Sequence, residues 1–210
     1  SCVQELYGVE DPRLTYIDGK YYMCYTAYSP TNISVALAST KNFFNWNRYG
    51  IVLPESPNKD AALFPEKVNG KYVMMHRLEP DIWLAFSDDL KTWTDYVSIA
   101  SPREGMWDNV KIGAGGPVLK TPYGWLLLYH GVEQAPRLRY RLGFMLLDLK
   151  DPTKVLKRSN EPCLEPKETW EIFGGVPTVV FSDAIVEYKD SYYIYYGAAD
   201  NYIALATITR

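Results

Sequence analysis

Four hairpin signals at near-regular spacing constrain this chain more than any other feature. Asp18-Gly19 precedes a tyrosine-rich run at Tyr21, Tyr22 and Tyr25, and Asn69-Gly70 precedes "YVMMHR". Tyr123-Gly124 precedes "WLLLYHG", and Lys189-Asp190 precedes "SYYIYYGAAD". Asn-Gly and Asp-Gly between apolar runs are strong short-range hairpin signals, because both central residues of the turn need positive φ. From Gly19 to Gly70 is 51 residues, from Gly70 to Gly124 is 54, and from Gly124 to Asp190 is 66. A period near 50 is the mark of a repeat architecture.

Each tyrosine- or leucine-rich run is followed by another apolar strand: "ISVALAS", "DIWLAFS", "YRLGFMLLD" and "YIALATI". The first two of these enter matching turns, "STKNFFNW" and "SDDLKTW", each opened by a serine and closed by a tryptophan. The unit is strand, hairpin, strand, strand, aromatic-closed turn, strand. That is one four-stranded blade of a β-propeller. Helical periodicity is short and interrupted by proline and glycine. The reading is all-β, with about four blades in one domain over residues 1–210. The terminal units read as incomplete, the chain starting and stopping in strand-poor segments. Four units can close a ring, and a five-bladed ring without its first blade fits as well.

A propeller binds ligands where its innermost strands converge on the central axis. Four segments occupy that place in the repeat: "EDPRLTYI", "KDAALFPEKV", "KIGAGGPVLK" and "VPTVVFSDAIV". Asp11, Asp60 and the stretch Lys111–Lys120 are therefore expected to face one another. Asp11 before Pro12-Arg13 reads more readily as a turn former or ion-pair partner than as a catalytic acid. His76-Arg77 and Tyr129-His130 read equally as solvated strand ends, and Lys59, Asp60 and Lys120, taken alone, as surface charges. The glycines Gly113, Gly115 and Gly116 lack the strand–GxxxxGK[ST]–helix context of a phosphate loop. Trp83, Phe86 and Trp93 read as blade packing rather than a sugar platform.

A net charge of −3 argues against a nucleic-acid footprint. The three cysteines, Cys2, Cys24 and Cys163, are odd in number and without metal spacing, which points to a reducing compartment. With no apolar run long enough to span a bilayer and no visible signal peptide, the expected location is cytoplasmic. Two histidines without a third ligand nearby make zinc catalysis a poor fit.

With these motifs in hand, the chain resembles glycoside hydrolase family 130, the β-mannoside phosphorylases and their relatives, which are five-bladed propellers. The resemblance runs in order from residue 10 to residue 200 through "EDPRLTYIDGKYYMCYTAYS", "KDAALFPEKVNGKYVMMHR", "KIGAGGPVLKTPYGWLLLYHGV" and "YYIYYGAAD". It implies that Asp11 is the general acid and that Lys59, Arg77, Lys120 and His130 bind phosphate. It further implies that Asp60 and Asp200 contact the sugar. Inorganic phosphate would be the co-substrate, with no cofactor and no metal, and a short oligosaccharide the other substrate. The implied reaction is inverting phosphorolysis of short β-mannosides to α-mannose 1-phosphate. A β-mannosidase and a non-catalytic carbohydrate-binding propeller are the alternatives, and the basic set favours the phosphorylase. Family members carry roughly one more blade before the EDPR motif. An open ring predicts exposed apolar blade faces, and with them either no stable monomer or a second copy of the chain over the gap.

Overall fold

A computed structural model describes residues 3–134 and 136–209; Cys2 and Arg210 lie outside them. Blade 1 comprises β1 (Gly8–Ile17), β2 (Lys20–Tyr28), β3 (Ile33–Thr40) and β4 (Trp46–Leu53). Blade 2 comprises β5 (Asn58–Leu63), β6 (Tyr72–Leu78), β7 (Asp81–Ser87) and β8 (Thr94–Ala100). In blade 3 the innermost strand is split into β9 (Lys111–Ala114) and β10 (Leu119–Thr121). They are followed by β11 (Gly124–Gln134), β12 (Leu138–Leu147) and β13 (Val155–Arg158). Blade 4 has three strands, β14 (Val180–Tyr188), β15 (Ser191–Ala198) and β16 (Tyr202–Thr209). Every neighbouring pair within a blade is antiparallel, so each blade is a meander. The chain thus reaches Thr209 in a strand, not in the loop expected from its sequence.

The turns form for the reasons the sequence offers. Asp18 and Gly19 both have positive φ, 47° and 80°, and Asn69 and Gly70 repeat this at 52° and 82°. The aromatic-closed turns are built by side chains that accept backbone hydrogen bonds. Ser87 Oγ accepts from Leu90 N–H at 2.9 Å, and Asp89 Oδ1 accepts from Lys91 and Thr92 N–H at 2.8 Å. In blade 1 the same roles fall to Thr40, which accepts from Phe43 N–H at 2.9 Å, and to Asn42, which accepts from Phe44 and Asn45. The residue matching Ser87 is therefore Thr40 rather than Ser39. A threonine hydroxyl makes the same turn, so the register shifts by one from the serine-based reading.

The core lies between blades, not within one central globule. Val35, Leu37, Leu53, Leu63 and Met74 join blades 1 and 2. Phe64, Met75, Leu84, Ile112 and Trp125 join blades 2 and 3, and Leu128, Leu142, Val180 and Ile194 join blades 3 and 4. Each such side chain, fully buried, contributes about 1.5–3 kcal/mol relative to exposure. Trp93 belongs to the first of these cores and Phe86 packs on the second, as expected of blade packing. Val9, Leu14 and Tyr16 on β1 are exposed, as are Tyr195 on β15 and Ile203 and Leu205 on β16. A short α-helix, α1 (Thr169–Ile172), is anchored by Glu171, whose Oε1 accepts from Tyr196 O–H at 2.6 Å. No described helix is long and apolar enough to cross a membrane.

Candidate active site

The site is made by interruptions in the innermost strands. The β1–β2 register shifts between Glu10 and Arg13, the β5–β6 register between Lys59 and Ala62, and the β14–β15 register between Ser182 and Ala184. Each of these bulges holds an aspartate: Asp11, Asp60 and Asp183. A bulge leaves one residue unpaired and re-aims its side chain. Asp11 and Asp60 adopt φ of 53° and 54°, a left-handed conformation that aspartate tolerates better than most residues. The inner strands therefore converge at their N-terminal ends, and the three carboxylates converge with them.

Arg13, 1% exposed, ties two of these blades together. Its Nη2 lies 2.8 Å from Asp183 Oδ1 and 3.5 Å from Asp60 Oδ1, and its guanidinium sits 5.7 Å from the Phe181 ring centre. Arg77 Nη1 lies 2.7 Å from Asp60 Oδ2 and 3.4 Å from His130 Nε2. Lys59 Nζ lies 3.9 Å from Asp11 Oδ2 and 3.2 Å from Glu10 Oε2. Glu79 Oε1 lies 3.3 Å from Arg77 Nη2 and 3.0 Å from Lys111 Nζ. The accessible members are Glu10, Asp11, Lys59, Glu79, Lys111 and Asp183, with side chains 46%, 23%, 28%, 45%, 24% and 34% exposed. Four acids and two lysines thus line the open side, over a buried layer of Arg13, Asp60, Arg77 and His130.

Burial pushes the Asp11 carboxyl above the ordinary carboxylate value; Arg13 and Lys59 oppose this, while the like charge of Asp60 adds to it. Burial likewise pushes Asp183 up to about 6 against the pull of Arg13. Asp60 goes the other way. Burial raises it, but Arg77 and Arg13 are among the groups that outweigh this and hold it at about 2. For Lys59, burial favours the neutral form, yet Asp11, Asp60 and Glu10 hold its pKa above the usual lysine value. His130 is held down to about 3 by complete burial and is neutral at physiological pH. Arg77 can only donate, so Nε2 of His130 accepts from it and Nδ1 carries the proton.

Five of the residues expected from the sequence come together here: Asp11, Lys59, Asp60, Arg77 and His130. His130 is a neutral hydrogen-bonding group rather than a cation, because its ring has no access to water. Asp60 is 1% exposed. Its oxygens face Arg13, Arg77 and His130, so it orients cations and has no surface left for a sugar. Lys120 does not join the cluster. It lies near the opposite end of blade 3, beside the Thr121–Gly124 turn, where Nζ meets Glu66 Oε1 at 2.5 Å and lies over the Trp125 ring. An 860 Å³ hollow opens there among Lys120, Leu126, Leu146 and Leu156, with no acid in its wall. Asp200 sits in the β15–β16 turn with positive φ, beside the backbone of Gly175, and not against the charged cluster.

The sequence reasoning passed over Asp183, Arg13 and Glu79, and named Lys111 only as one end of the stretch expected to face the axis. A signal for the first was present: Asp11-Pro12, Asp60-Ala61 and Asp183-Ala184 place an aspartate before a small or cyclic residue at the same point of three repeats. Lys111 opens the matching strand of blade 3. The glycines of that strand serve close approach between blades. A Cβ on Gly113 would lie 2.2 Å from Asp60 Oδ2 and 2.5 Å from His130 Cε1, and one on Gly116 would lie 2.8 Å from the Asp183 carbonyl oxygen. Among the described residues no set of three or more His, Cys, Asp or Glu side chains is arranged to hold a metal ion.

Bulged acids and cations gathered at the axis of a four-bladed arrangement define a β-propeller with a charged axial cluster. The chain belongs to glycoside hydrolase family 130, whose model, described as beta-1,4-mannooligosaccharide phosphorylase, matches residues 1–210. It is 51% identical over 208 residues to a 1,2-beta-oligomannan phosphorylase of Thermoanaerobacter sp. (strain X514), covering 98% of this chain and 69% of that protein. It is 52% identical over 210 residues to a beta-1,2-mannobiose phosphorylase of the same organism, covering 99% of this chain and 68% of that protein. Among solved structures, beta-1,2-mannobiose phosphorylase from Listeria innocua, in complex with beta-1,2-mannobiose, superposes with a TM-score of 0.93 at 38% identity. That match covers 99% of this chain and 60% of the Listeria chain. The chain thus spans between 60% and 69% of the length of these relatives.

Proposed function

We propose that this chain carries the acid and the phosphate site of an inverting phosphorylase acting on short β-1,2-linked mannosides. The observation that carries the reading is the placement of Asp11. It is an acid with a raised pKa, partly open to solvent, beside cations delivered by two further blades: Lys59 from β5, Arg77 from β6 and Lys111 from β9. The β-1,2 linkage is supported by the activities of the two Thermoanaerobacter relatives.

Phosphate is already an anionic nucleophile, so phosphorolysis needs an acid but no base, whereas an inverting hydrolase needs both. The reading assigns the roles as follows. Lys59, Arg77 and Lys111 offset the repulsion between phosphate and the carboxylates and hold a phosphate oxygen against the anomeric carbon. That oxygen forms the new C1–O bond on one face while the bond to the glycosidic oxygen breaks on the other, which inverts β to α. The leaving oxygen takes its proton from Asp11. Asp183, fixed by Arg13, presents an oxygen that can accept from a hydroxyl of the mannosyl ring.

Arg77→Ala and Lys111→Ala are each expected to raise the KM for phosphate by about tenfold to a hundredfold, the value of a hydrogen bond to a charged group. The KM for the mannoside should stay within about twofold. Lys120→Ala should change neither, because Lys120 is at the wrong end of its blade. Steady-state kinetics with each substrate varied in turn checks this. If the first two variants weaken mannoside binding and leave phosphate dependence intact, the phosphate site is misplaced.

A further inference from the structure

The proposed reaction gives no role to Glu10 or Glu79, and of the two it is Glu79 that bridges two cations and stands where an anion would. A single oxygen, Oε1, is 3.0 Å from Lys111 Nζ and 3.3 Å from Arg77 Nη2. The two cations come from different blades, and one oxygen shared between them is the arrangement a phosphate oxygen would adopt. The contact is built into the fold. Ile112 N–H donates to the Pro80 carbonyl at 3.0 Å, which fastens the start of β9 to the β6–β7 turn and sets Lys111 beside Glu79. Lys111 and Arg77 hold the Glu79 carboxyl below the ordinary value despite its partial burial, so it is ionised at neutral pH.

Asp60 is buried and fixed, and Asp183 is clamped by Arg13, whereas the Glu79 side chain is 45% exposed, with water beside it to receive the carboxylate. Its pairing is open to water on the carboxylate side, which weakens it relative to the fully buried pair of Arg77 with Asp60. The neighbourhood is also crowded with negative charge. Glu10, Asp11, Asp60, Glu79 and Asp183 face Arg13, Lys59, Arg77 and Lys111, so the acids outnumber the cations. A phosphate entering such a site meets a surplus of carboxylate unless one withdraws.

We propose that Glu79 is a built-in anion that occupies the phosphate position of the resting protein, and that phosphate binds by displacing it. Glu79 thereby sets the affinity for phosphate and rejects weaker anions, which cannot compete with a carboxylate already in place. This rests on the reading of Arg77 and Lys111 as phosphate ligands. It adds a residue that opposes binding rather than supporting it, which gives the opposite sign of effect from a ligand.

The test is titration of inorganic phosphate into the wild-type protein and Glu79→Gln, followed by isothermal calorimetry in chloride buffer at pH 7. Glutamine keeps the shape and loses the charge. The expected result is phosphate binding about threefold to tenfold tighter in E79Q, with no change in the KM for the mannoside. The gain should vanish in E79Q/K111A, because the released cation is then gone. Unchanged or weaker binding in E79Q, with wild-type binding intact, overturns the proposal and makes Glu79 a support for the cations. Phosphate binding by E79Q but not by the wild type is the same displacement in a stronger form. If neither protein binds phosphate, the phosphorylase reading itself fails, and this proposal with it.

Discussion

Asp11→Asn is expected to lower kcat by about 10²–10⁴-fold on a mannobiose while leaving the fold intact, the range assigned to a positioned general acid. Asparagine is nearly the same size and tolerates the left-handed φ of 53° that Asp11 adopts, so the backbone of the bulge is not strained by the change. What is lost is the proton. The wild-type carboxyl is pushed up by burial, which makes it a better reservoir of acid near neutral pH. The loss should therefore be large for a sugar leaving group, which needs protonation, and much smaller for an aryl mannoside whose leaving group departs as an anion. A melting temperature equal to wild type belongs to the same expectation. A loss below about tenfold on mannobiose contradicts the assignment of Asp11 as the acid.

The largest effect on stability is expected at Arg13. Arg13→Met removes the buried cation that lies against both Asp183 Oδ1 and Asp60 Oδ1. Removing one partner of a buried ion pair costs about 3–5 kcal/mol, because the other charge is left without compensation. For a chain of this size that corresponds to a fall in Tm of roughly 10 °C. The pH dependence has a definite sign. The Asp183 carboxyl binds its proton more tightly in the folded protein than in the unfolded one. Its contribution to stability is full below the ordinary carboxylate value and is lost as pH rises through about 6. Without Arg13 that pKa rises further, so the gap between variant and wild type should widen from pH 5 to pH 8. Thermal melts at both values check it. A Tm shift of less than about 2 °C, or a gap that narrows with pH, would show that Arg13 is not the clamp between blades 1 and 4.

The blades were legible because their cause is local. An Asn-Gly or Asp-Gly turn with two positive φ angles is written in two residues, and the strands on either side alternate visibly. The aromatic-closed turn was legible for the same reason, save for one position, since threonine does at 40 what serine does at 87. The site was legible only in part, because its members meet through the axis rather than along the chain. Nothing near Arg13 announces that it will lie against Asp183, 170 residues further on. Lys120 was misread for a related reason. In blade 3 the inner strand is broken at Gly115-Gly116, so its two ends serve different ends of the molecule, and Lys111, not Lys120, is at the end that carries the acids. Asp60 and His130 lie in the cluster, where burial, which their sequence neighbours do not announce, makes the first a partner for cations and the second a neutral ring.

The central claim is that phosphate, gathered by Lys59, Arg77 and Lys111, is the nucleophile in a reaction whose acid is Asp11. The direct measurement is to incubate the protein with β-1,2-mannobiose, with and without inorganic phosphate, and to follow the products by phosphorus and proton magnetic resonance. The account predicts α-mannose 1-phosphate and free mannose in equal amounts, formed only when phosphate is present. Free mannose alone, released at the same rate without phosphate, would contradict it and make the cleft that of a hydrolase.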